Sequence, residues 1–274
     1  MGVGRVFMIL SCCLTLSLQQ LPAQFDVARC TQVYIDIGLN VGDMLLALYA
    51  PEGIKTKPEQ KQARAFAALF GTNRSSTCAI GFEPNPMHQR RLAGLAARLR
   101  ARGHHVQIFG YGVSNETGSS TYWTDTAPHN IQNNGWGSSL LRWAANMDEG
   151  HAATVPTVTL QAILTRLPAF VASARPQIGM KLDCEGCEYD ALPPALYQLC
   201  ANIDVLWLER HDRFFSRKWR GHKAGFESNG RVEALDESLR ELGKRRAAST
   251  CRTAVKGLST FERAGRRLAL SGSS

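Results

Sequence analysis

The 274-residue sequence is 44% hydrophobic and 20% charged, with a formal net charge of +9 and a pI near 9.3. Those values exclude wholesale disorder, no internal repeat or long low-complexity tract is present, and the length suffices to bury one α/β core. The positive balance either solubilises the surface or draws an anionic partner such as nucleic acid, a sulfated glycan or a membrane surface.

Arg5 precedes an apolar run from Val6 to Leu18, followed by Leu21-Pro22-Ala23. A positive start, a short apolar run and a small residue at a cut site match a secretory signal over residues 1–23. The run is shorter than the roughly 20 residues of a spanning helix. An uncleaved anchor and an organelle transit peptide are the alternatives, the latter because no acidic residue precedes Asp26. After the leader, residues 24–274 read as one domain, with a core over about 32–211 and a basic C-terminal part over 212–274. Six cysteines remain there: Cys30, Cys78, Cys184, Cys187, Cys200 and Cys251. An even set in an exported chain suggests disulfides, and sequons at Asn73 and Asn115 fit a secreted or lumenal protein.

Val33-Tyr-Ile-Asp-Ile37 reads as a buried strand, with a helix from Met44 to Tyr49 and another from Pro58 to Phe70. Ala79 to Glu83 is the second strand. Asn85 then caps a helix with Pro86 at its first position and Gly103 beyond its end. Leu92, Leu95, Ala96 and Leu99 share its apolar face; Arg90, Arg91, Arg98 and Arg102 form a basic one. Val106 to Val113 reads as a third strand and Gly118 to Trp123 as a hairpin arm. The polar stretch from Thr124 to Thr154, containing Trp136 and Trp143, has the length of a functional lid. A helix over Leu160 to Leu167, strands over Ile178 to Asp183 and Val205 to Glu209, and a last helix over Val232 to Leu242 complete the alternation. The pattern predicts a Rossmann-like α/β sandwich, its central sheet mostly parallel with helices on both faces.

The first strand runs into Asp36-Ile-Gly38-Leu-Asn40-Val-Gly42-Asp43, a glycine-bearing turn that lets a ligand approach the backbone. A dinucleotide site needs bare backbone where pyrophosphate packs, and Asn40 fills that slot; a nucleotide-dependent oxidoreductase is disfavoured. A ligand without phosphate fits better. S-adenosylmethionine is one: Glu83 can accept from both ribose hydroxyls, the Gly38–Gly42 turn can hold the amino-acid tail, and Asp36 can counter its ammonium.

From Gln32 to His211 the chain resembles the FkbM-type methyltransferases. Asp36-Ile-Gly-Leu-Asn-Val-Gly-Asp43 is similar to that family's Asp-Ile-Gly-Ala-Asn-x-Gly-Asp, and Phe82-Glu-Pro-Asn-Pro86 to its second motif. Gly112-Val-Ser-Asn115 with Gly118, Gly137-Ser-Ser-Leu140 and Val158-Thr-Leu160 resemble its middle segments. Lys181-Leu-Asp-Cys-Glu-Gly-Cys-Glu188 looks like its Lys-Ile-Asp-Val-Glu-Gly-Ala-Glu, and Glu209-x-His211 like the end of its fifth strand. The resemblance implies a methyltransferase using S-adenosylmethionine, acting on a hydroxyl of a sugar, glycan or small metabolite. It implies a cofactor site of Asp36, Gly38, Asn40, Gly42, Asp43 and Glu83, with Ser114 or Asn115 near the adenine. Asp183, Glu185, Glu188, Glu209 and His211 would cluster where the acceptor meets the cofactor. Cys184 and Cys187 depart from the family's valine and alanine.

A hydroxyl acceptor needs a base, and Asp183 and His211 are the expected ones, with Glu185 beside them. Asp183, Glu185, Glu209 and His211 also offer metal-ligand types, but no metal is assigned. Cys30 and Cys78 lie just before the first and second strands and are expected to bridge if those strands are neighbours. Cys184 and Cys187 are expected to bridge locally or to pair with Cys200 or Cys251. The alternative function is a non-catalytic protein of this fold that grips an anionic glycan or single-stranded nucleic acid through Arg210 to Lys223, with Phe214, Phe215 and Trp219.

Overall fold

Strand–helix alternation resolves into two sheets in a computed structural model that describes residues 30–125, 135, 137–141, 147–167, 175–211 and 230–257. The leader, Trp136, Trp143 and the aromatic segment with Phe214, Phe215 and Trp219 lie outside the described residues. In chain order the first half holds β1 (Gln32–Ile37), α1 (Asp43–Tyr49), α2 (Lys57–Phe70), β2 (Thr77–Phe82), α3 (Gln89–Ala101), β3 (His105–Phe109), β4 (Gly112–Ser114) and β5 (Gly118–Asp125). The second half holds β6 (Met147–Thr159), α4 (Leu160–Arg166), β7 (Gln177–Leu182), α5 (Glu188–Ala191), α6 (Leu196–Asn202), β8 (Val205–Leu208), α7 (Arg231–Ala247) and β9 (Ala254–Gly257).

The main sheet has the order β3-β2-β1-β7-β8-β9, and every pairing in it is parallel. Strand order reverses beside β1, which pairs with β2 on one side and β7 on the other. That reversal opens the crevice where α/β sheets bind ligands, at the carboxyl ends of the strands. Helices cover both faces, so β1, β2 and β7 are buried throughout most of their length and read as continuous apolar runs. Val33, Ile35 and Ile37 pack into one core with Leu160, Leu164, Leu199 and Leu235. Tyr34 faces the other core, edge-on to Phe66 at 4.7 Å, and Phe66 in turn meets Trp207 at 5.4 Å.

The predicted third strand divides: β3 joins the main sheet, whereas β4 leaves it for a three-stranded sheet of order β4-β6-β5. The predicted hairpin arm, β5, pairs antiparallel with β6 rather than with β4, across the polar stretch whose ends become strand. The helix expected from Pro86 begins at Gln89. Asn85 instead caps a preceding turn, accepting the Met87 N–H at 3.0 Å. Residues 231–257, in the basic C-terminal part, supply α7 and the sixth strand. β9 is fastened by Arg252 on both oxygens of Asp204, and by the Thr253 hydroxyl donating to the Leu199 and Ile203 carbonyls. Among the described residues no helix is long and apolar enough to cross a membrane.

Cys30 pairs with Cys78, Cys200 with Cys251, and Cys184 with Cys187, at Cα separations of 5.8, 4.6 and 5.4 Å. The first two close chain separations of 48 and 51 residues, the third only 3. Chain entropy gives about 4 kcal/mol for each long loop and about 2 for the short one. Replacing Cys30 and Cys78 together by alanine is therefore expected to lower stability by about 3–4 kcal/mol and Tm by roughly 10 °C in thermal melts. Peptide mapping without reductant should recover residues 30 and 78 in one linked fragment, and two free thiols there would remove the bridge.

Candidate functional site

The turn after β1 owes its path to three left-handed residues, Gly38 (φ 80°), Asn40 (φ 51°) and Gly42 (φ 90°). Glycine adopts this region freely, and asparagine tolerates it better than most residues. A Cβ on Gly38 would overlap the carbonyl oxygen of Asp183, and one on Gly42 would run into Leu95. The turn thus lies against the end of β7 on one side and α3 on the other.

Backbone pairing continues one step past the strands. Gly38 and Leu39 N–H donate to Phe82, Asp183 N–H to Ile37, Glu83 N–H to Phe109 and Glu209 N–H to Leu182, all at 3.0–3.1 Å. These bonds line up Gly38, Glu83, Asp183 and Glu209 along a single carboxyl edge. Glu83, 4% exposed, accepts the Asn40 N–H on Oε2 at 2.6 Å and the Asn85 N–H on Oε1 at 2.8 Å. The turn after β1 and the acid after β2 are therefore in direct contact. The side-chain oxygen of Asn40 is buried with no hydrogen-bond partner among the described residues.

Beneath the turn lies Lys181. Its ammonium donates to the Gly38 carbonyl at 2.9 Å and pairs with Asp183 at 3.1 Å and Asp36 at 3.3 Å. Burial works against that charge, but Asp183 and Asp36 outweigh it and hold the lysine firmly protonated. Asp36 is fully buried; burial pushes its carboxyl up to about 6, while Lys181 pulls the other way. Asp36 had been expected to face a ligand's ammonium, and the cation it meets in the fold is Lys181.

His211 is 1% exposed and sits among three carboxylates. Nδ1 faces Glu188 Oε1 at 2.7 Å; Nε2 lies 3.3 Å from Glu185 Oε2 and 3.7 Å from Asp183 Oδ1. Glu188 also accepts the His211 N–H at 3.1 Å and the Gly186 N–H at 2.9 Å. Burial disfavours the imidazolium, yet Glu188 and Glu185 outweigh it and raise the histidine well above its usual 6.5. Acids at both ring nitrogens of the expected base thus favour its protonated form. Glu209 has the property sought there: burial, then the charge of Asp183, lifts its carboxyl to about 7.

Asp183, Glu209 and His211 offer ligand atoms within 4.8 Å of one another.

Asp43 opens α1, half-buried, where burial and then Glu59 raise its carboxyl and Arg91 opposes them. Asn115 is exposed beyond β4 and accepts from the Ser114 hydroxyl at 3.2 Å. Gly137 to Leu140 docks the second sheet onto the site. Ser139 exchanges backbone hydrogen bonds with Trp123, and its hydroxyl donates to the Glu185 carbonyl at 2.7 Å. Tyr122, buried beside that loop, has its phenol raised by burial and then by Glu83, with Glu185 adding to the effect. The sequence places Glu209 in the acceptor cluster without naming it as a base, and it assigns no role to Lys181 or Tyr122. The Lys-x-Asp and Glu-x-His spacings, which put both members on one strand-end face, were the available signal for the first two.

His211 holds its proton more tightly folded than unfolded, so its stabilisation is complete below about pH 6.5 and declines as pH rises through the folded value. Denaturant unfolding of wild type and His211→Asn should therefore show a larger difference at about pH 6 than at about pH 9. Glu188→Gln, which strips the buried cation of its shortest partner, should cost about 3 kcal/mol or more.

Residues 36–246 match the family model of the Methyltransferase FkbM domain. No curated protein and no solved structure gives a significant match. The matched span opens at Asp36, contains the whole carboxyl-edge site and ends in α7; the chain belongs to the FkbM methyltransferase-domain family.

Proposed function

We propose that the chain is an S-adenosylmethionine-dependent methyltransferase that methylates a hydroxyl oxygen of a glycan or small hydroxylated metabolite in a secreted or lumenal setting. The observation that carries this reading is the contact between Glu83 and Asn40, which joins the glycine-bearing turn to a buried strand-end acid on the same rim of the sheet. The unpartnered Asn40 side-chain oxygen beside it suits a donor from a ligand, such as an ammonium or hydroxyl, since buried polar atoms seldom stay unpaired. The three cysteine pairs are compatible with an oxidising compartment.

Charge points the same way. Asp36, Asp183, Glu185, Glu188 and Glu209 meet Lys181 and His211, five acids against two cations in this cluster of described residues. A site short of positive charge favours a cationic ligand and repels phosphate. When bound, S-adenosylmethionine supplies a methyl group already activated by the sulfonium. The chain then has to bind, orient and take a proton. Glu83 and the Gly38–Gly42 turn bind; both carboxylate oxygens of Glu83 keep a lone pair beyond their backbone bonds. Asp183, fixed by Lys181, orients the acceptor hydroxyl, Glu209 takes its proton, and His211 holds Glu185 and Asp183 in place.

Calorimetry of the folded protein should give saturable S-adenosylmethionine binding, and Glu83→Gln should weaken it about tenfold to a hundredfold, as for one charged hydrogen bond. A melting temperature raised by NAD(P) and unmoved by S-adenosylmethionine would overturn the reading. For turnover, the acceptor form of Glu209 accumulates above about pH 7, so the rate should climb through that pH and then level. Glu209→Gln should lose about a hundredfold in kcat while retaining cofactor affinity, measured by transfer of a labelled methyl group to candidate glycans.

A further inference from the structure

The turn from Cys184 to Cys187 carries two left-handed residues, Glu185 (φ 54°) and Gly186 (φ 114°), and a bridge ties its ends. Glutamate rarely adopts that conformation, so something must hold it. From this turn the Glu185 carboxylate reaches His211 Nε2 at 3.3 Å, and the Gly186 N–H fixes Glu188 Oε2 at 2.9 Å. The other oxygen of Glu188 then meets His211 Nδ1 at 2.7 Å. Both carboxylates that keep His211 charged are thus set by four consecutive residues inside one disulfide ring.

Spanning only three residues, this bridge restricts the unfolded chain far less than the two long-range ones, so global stability is not its main effect. It is also the most accessible of the three. Cys184 is partly exposed, whereas Cys30 and Cys78 are 0% and 1% exposed, and Cys200 and Cys251 are 6% and 7%. Cys184 Sγ lies 3.5 Å from Glu188 Oε2. As part of a disulfide it has no proton to donate; as a thiol it donates to that oxygen and competes with the Gly186 N–H.

We propose that the Cys184–Cys187 disulfide is a redox-sensitive positioning device, which in its oxidised form holds Glu185 and Glu188 on His211 and on reduction releases that arrangement. The reductant is a dithiol: its two sulfurs become a disulfide, the Cys184–Cys187 bond breaks, and two electrons and two protons pass to the cysteines. Its bearing on methyl transfer rests on the function proposed above, whereas its effect on His211 rests on geometry alone.

The test uses the full oxidised chain, dithiothreitol as the probe, and alkylation with mass spectrometry to count each opened bridge. The hydrogen-bonded Nδ1 proton of His211 is followed by NMR and assigned by its loss in His211→Asn. Opening residues 184 and 187 alone should shift or broaden that resonance. The Cys184→Val/Cys187→Ala double variant should show it displaced beforehand and unresponsive to dithiothreitol. Methyl transfer should fall about tenfold or more, with S-adenosylmethionine affinity within about twofold, since the Glu83 clamp is formed by the turn after β1 and the end of β2. A His211 resonance unchanged after this bridge is opened, or changed only when the Cys30 or Cys200 bridge opens, overturns the inference. Should the oxidised chain bind no S-adenosylmethionine while the His211 response persists, the proposed function fails and the positioning role stands.

Discussion

One buried ammonium holds the crevice together. Lys181 reaches the Gly38 carbonyl, Asp36 and Asp183 within 2.9–3.3 Å, and these acceptors belong to β1, to the turn after it and to the end of β7. Those are the strands between which the sheet reverses its order. Removing an ammonium from water costs several kcal/mol unless close oxygens replace its hydration. Here three oxygens do so, and they can converge only if the turn bends back as its left-handed residues make it bend. The glycines supply the path and the lysine charge selects it. Neither suffices alone, since a flexible turn has many conformations and a buried lysine without this turn lacks one of its acceptors.

Around that centre the acids are arranged by depth. Asp183 and Asp36 share the same ammonium, but Asp36 is wholly enclosed and Asp183 is partly open to solvent. The shared cation therefore only partly offsets the desolvation of Asp36, whose carboxyl sits near 6. Glu209, less deeply buried but beside Asp183, is lifted to about 7 by burial and then by the charge of Asp183. A surplus of negative charge in a confined space is met by keeping protons, and the protons are kept where burial and neighbouring acids act together.

The glycine turn and the strands flanking it were legible because their requirements are local. Positive φ at residues 38 and 42 demands glycine, and strands buried on both faces demand unbroken apolar residues. The second sheet was not legible, because β5 finds its partner only after a polar stretch that carries no pairing signal. The start of α3 was misplaced for a different reason: Asn85 caps, as its type suggests, but what it caps is a single turn. Asp183, Glu185 and His211 were recognisable as a group, yet the charge state of His211 depends on carboxylates brought to both faces of the ring, which spacing alone does not encode. Lys181 stood in a quoted motif, but its role depends on acceptors from three separate segments, which the sequence does not bring together.

The three carboxylates around His211 bear on how labour can be divided at this site. Burial opposes a charge on the ring, and the acids at its two nitrogens outweigh that cost and favour the imidazolium. With the ring charged, its two N–H groups face Glu188 and Glu185 as donors. In the function proposed above, a proton taken from an acceptor hydroxyl then goes elsewhere. The group one residue beyond β8, close enough to Asp183 to feel its charge and poised near neutrality, is Glu209.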